Sequence, residues 1–176
     1  TAGEVAELDL SRAGSPTWTA YREVIHLKTA SLLESCCRCG AVAAGLAPDQ
    51  TEAAARFGYH FGMAFQMCDD LLDLGAIPDL DKPARTDLSN GLVNLPALLL
   101  RESNGQDLSG FASLSTPELL AALEKAGVLG KARALLREEL DAAQSELVRL
   151  PERDARRHLA SLLEDLRSRA SEAMGG

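Results

Sequence analysis

Three closely spaced aspartates carry the strongest chemical signal in this chain, in the run Phe65-Gln66-Met67-Cys68-Asp69-Asp70-Leu71-Leu72-Asp73. Asp69 and Asp73 are four residues apart and Asp70 and Asp73 three apart, so on a helix all three can project towards one point. Gathering that much negative charge among Met, Cys and Leu side chains is costly unless a cation compensates it. Carboxylate oxygens on a rigid element suit Mg²⁺, which is commonly held by one or two carboxylates, several waters and a substrate phosphate. A solvated acidic face is the plainer alternative, and the apolar flanks of the triplet argue against it.

The elements that must position these acids read as helices, with strand signals nearly missing. Ser15-Pro16 offers an N-cap with proline at the first helical position, and an apolar pattern runs on through Trp18, Ile25, Leu32 and Leu33 to Gly45. Asp49 with Glu52 forms a D-x-x-E capping box for the next helix, expected to continue through the aspartates to about Leu74. Gly58 and Gly62 sit one turn apart inside it. Interior glycines cost roughly 1 kcal/mol each relative to alanine, so they point to another helix approaching closely.

From Gly75 to Gly91 the chain is rich in Pro, Asp, Gly and Asn, which predicts a loop before a short helix over 95–100. With Lys82 and Arg85 beside an acidic helix, that loop reads as a lid, or as a solvated connector. Thr116-Pro117-Glu118 opens a further helix stopped at Gly127. Two amphipathic helices follow, over 130–150 and 151–173. Leu136, Leu140, Leu147 and Leu150 in the first, and Leu159, Leu162, Leu163 and Leu166 in the second, fall at core spacing.

These residues resemble the second aspartate-rich motif of the trans-isoprenyl diphosphate synthases, also called polyprenyl synthetases. Phe65-Gln66, Asp69-Asp70-Leu-Leu-Asp73, Lys82-Pro83, Asp87-Leu88, Gly91 and Leu95-Pro96 follow the family's order at close to its spacing. Upstream, Tyr21, Ile25, Lys28-Thr29-Ala30, Gly40-Ala41 and Ala44-Gly45 are similar to the helix that carries its Lys-Thr pair. The resemblance covers roughly residues 3–96, and it implies an all-α, isoprenoid-synthase-type helical bundle.

By that resemblance Asp69, Asp70 and Asp73 form the Mg²⁺ side of a prenyl-transfer site, with Asp87 as a further outer acid. Lys28 and Lys82 would bind an allylic diphosphate, with Arg85 as a further substrate contact. Thr29 and Gln66 would guide isopentenyl diphosphate and its proton loss, and Phe65 would lie against hydrocarbon, where an aromatic face stabilises a carbocation. The implied catalytic set is Lys28, Thr29, Gln66, Asp69 and Asp70, and the implied cofactor is Mg²⁺. Plainer readings stand beside these: Lys28 as an exposed helix lysine, Thr29 bonded to its i−4 carbonyl, Phe65 as core.

Departures from the family pattern matter too. Asp81-Lys82 stands where Gly-Lys is usual, Arg85 replaces a glycine, and Gly91-Leu92-Val93-Asn94-Leu95-Pro96 replaces Gly-Lys-x-Thr-Leu-Pro. The cation missing at Leu92 falls to Arg85 to replace. The family's first aspartate-rich motif is missing as well, since the residues before Lys28 hold acids only at Glu4, Glu7, Asp9 and Glu23. The expectation is therefore a single C-terminal half of the bundle over residues 1–176, with active-site helices and loop in 1–100 and C-terminal helices in 101–176. Either a second chain carrying the first motif would complete it as a dimer or higher hetero-oligomer, or these residues are a piece of a longer chain that carries both motifs. A non-catalytic regulatory or scaffolding subunit of a heteromeric synthase is the alternative. A class I terpene cyclase fragment is weaker, since the Asn/Asp-x₃-Ser/Thr-x₃-Glu triad of such cyclases does not occur.

Composition narrows the setting. The 176 residues are 46% hydrophobic, enough to bury a core, and their net charge of −8 argues against a nucleic-acid surface. No apolar run approaches the ~20 residues of a membrane span, and no signal-peptide pattern opens the chain, so a cytoplasmic location is expected. Cys36, Cys37 and Cys39 are crowded together with only Cys68 elsewhere, which reads as small buried packing residues in a reducing compartment before it reads as zinc. His26, His60 and His158 lack neighbouring partners in the sequence and are not expected to be ligands.

Overall fold

Every regular element is helical in the computed structural model, which describes residues 2–12, 17–76, 94–105 and 114–173. In chain order these are α1 (Ala2–Arg12), α2 (Trp18–Ile25), a π-helical turn (His26–Ala30), α3 (Ser31–Ala43) and α4 (Pro48–Leu71). A second π turn (Leu72–Ala76), α5 (Leu95–Asn104), α6 (Thr116–Lys125), α7 (Val128–Leu147) and α8 (Asp154–Ala173) follow. The chain thus has the all-α architecture its periodicity predicts.

Helix starts depart from the sequence reading in instructive ways. Ser15 and Pro16 lie outside the described residues, and α2 opens on Trp18 with the Thr17 hydroxyl accepting from the Ala20 amide at 3.2 Å. Asp49 does not cap α4. Pro48 takes the first turn, Ala47 becomes the N-cap, and the Gln50 side chain accepts from the Ala47 amide at 3.3 Å. Glu52 is left to pair with Arg38 of α3 at 2.6 Å. Between α3 and α4 the amides of Gly45 and Leu46 close back on the carbonyls of Val42 and Ala41, which requires the positive φ of 68° at Gly45.

Helix α4 is the axis of the bundle, packed on α3 along one side and α7 along another. A Cβ at Gly58 would lie 2.5 Å from the Leu33 carbonyl oxygen, and one at Gly62 would lie 2.5 Å from the Ala30 Cα. The two glycines therefore set the spacing between α4 and the helix that carries Lys28 and Thr29. Gly3 of α1 presses on that helix from elsewhere, where a Cβ would come within 2.4 Å of the Lys28 Cα. Leucines 95, 98, 99, 100, 119, 123 and 136 fill the interior with Tyr21, Phe57, Met63 and Met67. In α8, Leu163 and Leu166 are buried as expected, whereas Leu162 is 51% exposed. Its place at the edge of the apolar stripe leaves it uncovered.

A charged network was not legible in the sequence. His60 lies 2.7 Å from Glu139 of α7, and Glu139 accepts from Arg22 of α2 at 2.7 Å. Arg22 also donates to the Tyr59 hydroxyl at 3.1 Å, so α2, α4 and α7 meet at one buried acid. His60 thus has an acidic neighbour that local sequence did not suggest. Burial alone would push the Glu139 carboxyl up, but hydrogen bonds from His60 and Arg22 outweigh it and hold the group below its usual range.

Gly58→Ala and Gly62→Ala are expected to cost about 1–3 kcal/mol each, because the added methyl meets backbone. Gly40→Ala, whose Cβ would meet nothing within 4 Å, should be neutral or stabilising by about 0.5–1 kcal/mol. Denaturant unfolding of the three variants checks this contrast. Glu139 should contribute stability in full above its ordinary pKa of 4.5 and lose it as the pH falls through the depressed value. Glu139→Gln should cost about 1–3 kcal/mol at pH 7 and flatten the acid limb of the stability profile.

Candidate functional site

The aspartate run occupies the last turns of α4 and enters the second π turn, and its three carboxylates do not share one environment. Asp69 is exposed, Asp73 is half-buried and Asp70 is only 5% accessible. Among the described residues no group of three or more His, Cys, Asp or Glu side chains stands close enough to hold a metal ion. The expectation that the triplet converges on one point is therefore corrected. Asp70 is engaged inward, and the reason is visible in its partners.

Asp70 Oδ2 accepts from the Tyr21 hydroxyl at 2.7 Å and from the Leu95 amide at 2.8 Å. Its Oδ1 accepts from the Gln66 side-chain amide at 3.2 Å. Leu95 opens α5, so its amide is one of the orphan donors of a helix start, and a buried carboxylate from α4 satisfies it. Burial, with the charge and hydrogen bond of Asp70, raises the Tyr21 phenol well above its usual value, so it stays protonated and donates. Asn94 completes the start of α5 by accepting from the Ala97 amide at 3.1 Å, while its own buried Nδ2 has no partner among the described residues.

The same chain of bonds runs on to the first π turn. Gln66, 7% accessible, accepts from the Thr29 hydroxyl at 2.9 Å through Oε1. Thr29 does not back-bond to its own helix as the plainer reading allowed; its hydroxyl donates to Gln66. Lys28, in the same turn, donates to Glu7 of α1 at 2.8 and 3.0 Å. A π turn inserts one extra residue into a helix, a distortion frequently found at functional sites. Here one such turn carries Lys28 and Thr29 and the other carries Asp73.

Phe65 is not core. It is 40% exposed, one turn before Asp69 on α4, so an open aromatic ring and an open carboxylate lie on one helix face. Between them the buried Cys68 thiol is pushed up to about 11 by burial and the nearby Asp69 charge, which keeps it protonated. Lys82, Arg85 and Asp87 lie outside the described residues. Of the cysteines, Cys36 and Cys39 are exposed, contrary to the expectation of buried packing groups, while Cys68 is buried.

Sequence reasoning overlooked three partners. Tyr21 stood out only as part of a pattern, Glu7 only as an acid in the wrong place for a first motif, and Glu139 not at all. Tyr21 lies 49 residues from Asp70, and Glu139 lies 117 from Arg22. No local spacing announces such pairs.

The all-α fold and this arrangement define the isoprenoid-synthase class of helical bundle. The Polyprenyl synthetase family profile matches residues 1–116, and the chain belongs to that family. It is 34% identical over 174 residues to heptaprenyl diphosphate synthase component 2 of Geobacillus stearothermophilus, covering 93% of this chain and 52% of that one. To octaprenyl diphosphate synthase of Escherichia coli it is 30% identical, covering 91% of this chain and 53% of the relative. The crystal structure of a decaprenyl diphosphate synthase from Rhodobacter capsulatus superimposes with a TM-score of 0.81 at 26% identity, over 96% of this chain and 55% of that one. The chain thus spans about half the length of these relatives. No described helix is long and apolar enough to cross a membrane.

Tyr21→Phe should cost about 1–3 kcal/mol by leaving a buried carboxylate lone pair unmet, and Asp70→Asn about 1.5–3 kcal/mol. Thermal unfolding checks both. Amide exchange at Leu95 should accelerate in Asp70→Asn while that of the α7 interior stays slow.

Proposed function

We propose that this chain supplies one wall of a Mg²⁺-dependent prenyl transferase that condenses an allylic diphosphate with isopentenyl diphosphate. The other wall, with the family's first aspartate-rich motif, lies outside these 176 residues, and the relative named heptaprenyl diphosphate synthase component 2 favours a second polypeptide as its source. The observation that carries this reading is the division of labour on α4. Asp69 and Phe65 are left open on one face while Asp70 is spent inside the fold. A solvated acidic face needs no buried acid wiring it to two other helices.

The donor set fits Mg²⁺. Asp69 offers carboxylate oxygens in contact with solvent, so waters can fill most of an octahedral shell, and the nearest thiol, Cys68, is buried and protonated. Asp69, with Asp73 and, by family pattern, Asp87, would hold the ion, which would supply positive charge to offset that of a diphosphate leaving group. Asp70 acts as a positioning residue in this scheme and not as a ligand.

The remaining roles follow from the bonds already present. Lys28 offers its ammonium to diphosphate oxygens and must share it with Glu7, which neutralises the charge until substrate competes. Thr29, its proton fixed on Gln66, presents lone pairs to the second substrate, where a hydrogen bond can orient it or a proton can be taken up. Phe65 lays its ring against hydrocarbon and stabilises positive charge developing beside it. Lys82 and Arg85 complete the cationic side by family pattern, with Arg85 replacing the cation missing at Leu92.

A regulatory or scaffolding subunit is the second reading, favoured by that loss at Leu92. Activity separates the two. Product formation from labelled isopentenyl diphosphate should be absent with this chain alone and appear when a polypeptide bearing the first motif is added. In the assembled enzyme Asp69→Ala should lower kcat at least about a hundredfold with an unchanged melting temperature. Wild-type rates in Asp69→Ala would establish the scaffold reading.

A further inference from the structure

A cavity of about 460 Å³ opens between α3, the start of α4 and the start of α8. Ala54, on its wall, precedes Asp69 by fifteen residues on the same helix, which places the cavity roughly 22 Å from the aspartates along the axis. It is a separate place in the molecule. Its volume lies within the range of small-molecule sites, and it exists because the facing positions are small: Gly40, Ala41, Ala44 and Ala54 leave room that larger side chains would have filled. The walls are almost entirely apolar.

The charged groups lining the cavity are of one sign. Arg153, just before α8, and Arg156, in its first turn, have His158 beside them, and among the described residues no acid lines the cavity in a chain whose net charge is −8. Arg156 donates to the Leu150 carbonyl at 3.1 Å, with Glu152 at the outer distance of 3.9 Å, while Arg153 reaches the Ala44 carbonyl only at 3.5 Å. These guanidiniums retain donors for an anion.

We propose that this cavity is a second binding site, for an amphipathic anion whose hydrocarbon tail fills the apolar floor and whose head meets Arg153 and Arg156. Two sources share that chemistry, a fatty carboxylate and a prenyl diphosphate. The prenyl diphosphate would make the site a sensor of the product of the proposed reaction, although the site itself does not depend on that reading.

The thiols provide the measurement. Cys36 and Cys37 line the cavity, and Cys39 does not. In the full chain, with a chelator present to keep diphosphates off the aspartates, saturating dodecanoate or farnesyl diphosphate should slow maleimide alkylation of Cys36 and Cys37 relative to Cys39. Dodecanol should not. Calorimetric affinity for either anion should fall at least about tenfold in Arg153→Glu, as expected for a lost charge-assisted contact, and should disappear in Gly40→Leu, which fills open space in a helix without disturbing it. Preference for dodecanoate assigns the site to fatty carboxylates, and preference for farnesyl diphosphate to prenyl diphosphates. Equal protection of all three cysteines, affinity unchanged in both variants, or protection of Cys36 and Cys37 only by an added polypeptide and by neither anion would overturn the proposal.

Discussion

The buried carboxylate of Asp70 is the constraint around which the candidate site is arranged. A carboxyl at 5% accessibility is stable only if its polar atoms are taken up, and among the described residues donors reach it from different parts of the chain. Tyr21 is on the helix that leads to Lys28, Gln66 is one turn earlier on α4, and the Leu95 amide begins α5. One side chain thus fixes the relative positions of the cationic helix, the acidic helix and the start of α5. Leaving any of these donors unmet also leaves a buried charge short of a partner, so the three elements are coupled in energy as well as in space.

Close packing makes that coupling rigid. Gly58 and Gly62 let α4 approach the Lys28 helix to backbone contact, and Gly3 lets α1 cross it at Lys28 itself. Thr29 then reaches Gln66 at hydrogen-bonding distance, and the bond lies within a continuous path from the first π turn to α5. Asp69 and Phe65 gain from what this path excludes: the acid beside Asp69 is already committed, so the Asp69 carboxylate and the Phe65 ring are left together on the open face.

The Arg22–Glu139–His60 cluster plays a parallel part deeper in the bundle. It ties α2 and α7 to α4 a few turns from the aspartates, with one acid meeting both Arg22 and the His60 ring. Arg56 and Glu146 repeat the link between α4 and α7 nearer its other end, at 2.8 Å and at a more exposed position, where an ion pair contributes less. The cavity at the start of α8 begins where this lacing stops and small residues take over.

Helical class, the two close-approach glycines, the terminating Gly127 and the resemblance carried by Lys28-Thr29, Phe65-Gln66 and the aspartate run were all legible in the sequence. Each depends on short-range periodicity or on residue type, which spacing along one helix reports directly. Helix starts were less legible: Pro48 and Thr17 displaced the caps expected at Asp49 and Ser15, because several local solutions compete within a residue or two and packing selects among them. The separate fates of Asp69, Asp70 and Asp73 could not be read at all. On an ideal helix the three share a side, and only the tertiary fold, by bringing Tyr21 and the Leu95 amide to Asp70, divides one buried acid that holds the structure from an open one that can meet an ion. The partners of Lys28 and His60 were decided in the same way, because electrostatic pairing depends on distance in space, and the folded chain alone sets that distance.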